Sequence, residues 1–91
     1  MTDLNARFLA RPDLEIEDAG GDLLAYVPER EDTVYLSETA RLIWQLCDGQ
    51  RTGADMVELI RDAYPEVSED IEQQVRDALG MLERRGLVAV A

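Results

Sequence analysis

The sequence predicts an α+β fold: a three-stranded antiparallel sheet packed on a three-helix bundle, in a winged helix-turn-helix-like order. Three observations lead there. Runs with a two-residue apolar period fill the first part of the chain, and the period becomes helical at Ser37. The breaks between the strands are too short for parallel crossovers.

The junction at Ser37 organises the rest. Thr33, Val34, Tyr35 and Leu36 alternate as a half-buried strand rich in β-branched and aromatic side chains. Ser37 is placed to accept from amides of the following turn, with Glu38 against the positive helix end. Ala40, Ile43, Trp44 and Cys47 then share one helical face, which Leu42 and Leu46 widen, and Gly49 supplies a left-handed stop.

Upstream, residues 1–13 read as an N-terminal arm, mobile or loosely docked, since Leu4, Phe8 and Leu9 are scattered among polar residues. The domain proper spans residues 14–90. Its first strand is Leu14–Asp18, with alternating apolar and acidic positions, followed by a turn at Gly20-Gly21-Asp22. Leu23–Val27 is the second strand, ended by Pro28, and the charged turn Glu29–Asp32 leads into the third.

Downstream, Thr52-Gly-Ala-Asp55 resembles a capping box opening the second helix. That helix is expected to bury Met56, Val57, Ile60 and Ala63 or Tyr64 and to stop before Pro65. The third helix follows Ser68, with Ile71, Val75, Ala78 and Leu82 on one stripe and Leu79 beside it. Arg84 and Arg85 suit its negative end, Gly86 caps it, and Leu87–Val90 is a short closing strand.

Composition narrows the function. Twenty acidic residues against nine basic ones give −11, and every basic residue is an arginine. Such a surface repels phosphate backbones and anionic lipid, so neither nucleic acid nor membrane is the expected partner. A third helix carrying Glu69, Asp70, Glu72 and Asp77 is unsuited to a DNA groove, which argues against a winged-helix regulator. It suits a peptide with some lysine or arginine. The absence of histidine removes the commonest general base and metal ligand, and no glycine-rich phosphate loop or calcium loop is present. The expectation is a non-enzymatic protein without metal or cofactor. No Asp-Ser-Leu motif opens a helix, which excludes a carrier protein. Without a signal-peptide core, a run long enough to span a bilayer, or a second cysteine to pair with Cys47, a cytoplasmic location is expected.

The sheet edges point to a binding mode. Glu15, Glu17 and Asp18 guard the first strand against pairing. The third strand, Thr33–Leu36, carries no charge; its edge is either covered by the chain's own termini or open to an incoming strand, from a peptide or from a second copy in a homodimer. Trp44 and Cys47 read as core residues.

The order of these signals resembles the PqqD-like proteins, the peptide chaperones or recognition elements of ribosomally made, post-translationally modified peptides. The residues that carry the resemblance are Val34-Tyr-Leu-Ser-Glu-Thr-Ala40, Ile43-Trp-Gln-Leu-Cys-Asp-Gly49, Tyr64-Pro65, and Val75, Leu79, Leu82 and Gly86-Leu-Val88. The resemblance implies a protein without catalytic activity that binds the leader segment of a precursor peptide as an added strand and presents it to a modifying enzyme, often a radical S-adenosylmethionine enzyme. Carried over by position, the peptide-binding residues are Thr33, Val34, Tyr35 and Leu36 on the strand edge and Ile71, Gln74, Val75 and Ala78 on the helical wall. Members that serve pyrroloquinoline quinone synthesis tend to carry an aromatic where this chain has Leu87, a departure that leaves the product open.

Overall fold

The computed structural model describes residues 2–20, 22–65 and 70–91. The elements in chain order are β1 (Arg7–Ala10), β2 (Glu15–Ala19), β3 (Asp22–Val27), β4 (Asp32–Leu36), α1 (Glu38–Leu46), β5 (Asp48–Thr52), α2 (Gly53–Ala63), α3 (Ile71–Arg84) and β6 (Val88–Val90). The expected meander is β2-β3-β4, antiparallel throughout. Ala19 faces Asp22 across the glycine turn, and a 3-10 turn at Pro28–Arg30 joins β3 to β4.

A second sheet, ordered β5-β1-β6, lies outside the expected plan. Its central strand comes from the segment read as an arm, and Phe8 is only 1% exposed in the core. One large apolar side chain at Phe8 and pairing on both sides of β1 are enough to dock it. The carbonyls of Leu4 and Ala6 also accept from the amides of Ala54 and Gly53, which satisfies donors that the first turn of α2 leaves unpaired. Of the expected closing strand, Val88–Val90 forms and joins β1, with the Ala91 amide donating to the Arg7 carbonyl at 2.8 Å.

The helix ends follow local chemistry. Ser37 Oγ accepts from the Ala40 amide at the start of α1. Thr52 and Asp55 form the reciprocal capping box of α2, at 3.1 and 3.0 Å. Asp70 accepts from the Gln73 amide and caps α3; the expected start after Ser68, and Glu69, lie outside the described residues. Gly49 does not stop α1. The helix ends at Cys47, and Gly49, at φ 82°, lets β5 begin at once, where Asp48 accepts from the amides of Gln50 and Arg51. Ala63 and Tyr64 are exposed, so α2 contributes only Met56, Val57 and Ile60 to the core in its apolar stripe. No described helix is long and apolar enough to cross a membrane.

Candidate functional site

β3 holds β4 on one side, and among the described residues no strand pairs with the other. The chain termini do not close this edge, because residues 7–10 and 88–90 are engaged with each other and with β5. Five residues of β4 therefore offer an uncovered ladder about 17 Å long. Asp32 at its start is the one charged residue in it.

Along the strand the side chains divide cleanly. Val34 and Leu36 face the core beside Ala25 and Leu23 of β3, whereas Thr33 and Tyr35 are exposed on the outer face. Tyr35 is 59% exposed, and its hydroxyl bonds the Asp22 carboxylate, which raises the phenol's pKa.

The helical residues divide in the same way. Ile71 and Val75 are buried in the core, and Gln74 and Ala78 are half-buried on the neighbouring flank. At 3.6 residues per turn, Gln74, Ala78, Met81 and Arg85 fall within a stripe about 60° wide. The last of these touches the strand: Arg85 Nε and Nη2 donate to Asp32 Oδ2 at 3.1 and 2.9 Å. Arg30, in the turn before β4, donates to the Arg84 carbonyl at 2.6 Å. The C-terminal end of α3 is thus fastened to the start of β4. The flank aligned with that fastening runs through Ala78 and Gln74. Of the eight sequence-derived positions, then, four are core side chains: Val34, Leu36, Ile71 and Val75. The other four reach solvent in two places, Thr33 and Tyr35 on the outer face of the sheet and Gln74 and Ala78 on the flank of α3.

Arg30, Asp32 and Arg85 were not among the sequence-derived site residues. The signal was present as opposite charge, an acidic pair entering the strand and an arginine pair ending the helix. The helix dipole alone accounts for arginines at this end, so the pairing of Arg85 with Asp32 does not follow from local sequence.

Trp44 is half-buried, and its indole N–H donates to the Leu87 carbonyl at 3.3 Å, so it ties α1 to the segment after α3. Cys47 is buried and its thiol is pushed up to about 12, mainly by desolvation and then by Asp48; it is not a nucleophile at neutral pH. No group of histidine, cysteine or carboxylate side chains able to hold a metal occurs among the described residues.

The family model described as coenzyme PQQ synthesis protein D (PqqD) matches residues 22–88. The chain belongs to the PqqD family. Its match to a solved structure is to TbiB1 in complex with the TbiA(beta) leader peptide, at a TM-score of 0.68 and 18% identity, covering 88% of this chain and 93% of that one. At that identity the likeness speaks for the fold alone. No curated protein matches. The PqqD match begins at β3 and ends in β6, so it spans the open strand, all three helices and the Arg85 fastening.

Proposed function

We propose that this PqqD-family protein is a peptide chaperone: it binds the leader segment of a ribosomally made precursor as a strand added to β4 and presents it to a modifying enzyme. The observation that carries this reading is the unpaired edge of β4, fastened at Asp32 to Arg85 at the end of the Gln74–Ala78–Met81 flank of α3. Backbone bonds to the edge supply sequence-tolerant affinity, and alternate side chains of the guest meet the flank and supply selectivity. Each bond contributes only about 0.5–1.5 kcal/mol net, so several bonds plus an apolar anchor are needed for a Kd of about micromolar. TbiB1, with its bound leader peptide, supports this choice over a homodimer formed through the same edge. A radical S-adenosylmethionine enzyme is the partner we favour, and the cytoplasm the setting.

Proline scanning tests the reading. Successive residues of a strand aim their N–H groups to opposite sides, so Thr33→Pro and Val34→Pro remove one N–H facing β3 and one facing outward. The variant that retains native circular dichroism should lose at least tenfold affinity for a leader peptide encoded beside this gene. Unchanged affinity in that folded variant rejects strand addition.

A further inference from the structure

The outer face of the β2-β3-β4 sheet carries a feature that backbone pairing at the β4 edge does not engage. The register places Glu15 opposite Tyr26 and Glu17 opposite Leu24, and then Tyr26 opposite Thr33 and Leu24 opposite Tyr35, so all six lie on one face. A cleft of about 320 Å³ opens there, lined by Glu15, Ile16, Glu17, Leu24, Tyr26 and Thr33. Its floor is apolar and aromatic. Its rim holds two carboxylates whose side chains have no ion-pair or hydrogen-bond partner among the described residues, whereas neighbouring Asp18 is engaged by Arg41 and Asp22 by Tyr35. Ile16 is 41% exposed at the same edge.

We propose that this cleft is a second docking surface, for a partner protein that inserts an arginine or lysine side chain into it. The aliphatic stem of such a side chain fits against Leu24, the Tyr26 ring offers its face to the cation, and Glu15 and Glu17 neutralise the head group. The net charge of −11 steers a basic partner towards the protein, and the cleft gives it a fixed point of arrival. The surface abuts the outer face of β4, so a protein seated here stands beside whatever strand β4 receives. Only the partner's identity, the enzyme that modifies the leader, rests on the function proposed above; the cleft itself does not.

The test uses the full chain, isotope-labelled, and a peptide probe, acetyl-Leu-Arg-Leu-Arg-amide with all four residues N-methylated so that neither of its edges can donate to a sheet. Saturable shifts of the Leu24 methyl and Tyr26 ring signals are expected. Affinity should fall at least fivefold in the Glu15→Gln/Glu17→Gln double variant, and a probe with glutamate in place of arginine should leave the spectrum unchanged. Equal affinity in the double variant, equal binding of the glutamate probe, or shifts centred on α3 would each overturn the assignment. The double variant should keep wild-type affinity for a leader peptide; losing it would make this face part of the leader site and likewise overturn the proposal. A protein that binds the arginine probe here but no leader upholds the cleft and rejects the chaperone reading.

Discussion

Arg85 grips Asp32 with two N–H groups on a single carboxylate oxygen, and in doing so joins residues 53 positions apart at one end of the open strand. Both side chains remain partly exposed, at 45% and 36%, which limits what the pair contributes. A double-mutant cycle with Arg85→Ala and Asp32→Ala should give a coupling of about 0.5–1 kcal/mol in chemical denaturation, weakened in high salt. A coupling indistinguishable from zero would leave Arg30 and the backbone to hold the helix end alone.

The N-terminal segment should behave as core. Phe8 is fully buried in the core, so Phe8→Ala should destabilise the protein by about 3–5 kcal/mol, read from urea or thermal unfolding. Removing residues 2–10 should unfold it, because β5 and β6 are then left without the strand between them. A truncated chain with an unchanged Tm would restore the arm.

The contrast with the sequence reading is instructive here. The meander, the three helices and the Ser37 and Thr52–Asp55 caps were legible because each is written in local period and capping residues, whereas the end of α1 at Cys47 instead of Gly49 was not. β1 and β5 were not. A four-residue strand with one buried aromatic shows almost no alternation, and Asp48-Gly-Gln-Arg-Thr52 holds no apolar residue at all. Their pairing is settled by contacts across the whole chain, which local propensity does not encode. Missing charge on Thr33–Leu36 marked this edge but left two outcomes, covered by the termini or open, and the pairing of residues 7–10 with 88–90 and β5 decides between them. The inward direction of Val34 and Leu36 followed from the pleat, yet the resemblance set them beside surface residues without distinguishing the two.

Cys47 should report on burial through pH. Desolvation raises its folded pKa to about 12, above the ordinary thiol value, so between roughly pH 9 and 12 the unfolded chain has released a proton that the native state keeps. Stability contributed by the neutral thiol is intact below that window and is lost as pH rises through it, by up to about 1.4 kcal/mol per pH unit. Alkylation by iodoacetamide at pH 8 should be slow until denaturant is added. Cys47→Ala should flatten the alkaline decline, leaving the share of Tyr35, whose pKa is also raised. Rapid native-state alkylation contradicts the burial.

The α2 capping box gives a smaller, local test. Thr52→Ala removes the acceptor for the Asp55 amide and should cost about 1 kcal/mol in unfolding free energy. Asp55→Asn should cost less, since the amide oxygen still accepts from the Thr52 N–H. Equal losses would mean that the carboxylate charge at the helix start, rather than the hydrogen bond, is what stabilises this end.

The proposed groove can be probed by filling it. Ala78 is half-buried on the stripe that ends at Arg85, whereas Glu83 lies on the opposite side of α3. Ala78→Trp adds bulk where a guest strand's side chains must pass, and Glu83→Trp adds the same bulk where they do not. Leader affinity measured by calorimetry should fall more than tenfold in the first variant and stay within twofold in the second, with thermal midpoints checked for both. Asp70, at the start of α3 on the Gln74 side, adds an electrostatic component, so affinity for a basic leader should also decline between low and physiological salt. If Ala78→Trp binds like the wild type while Glu83→Trp does not, the guest lies on the other flank of α3 and the alignment through Arg85 has been misread.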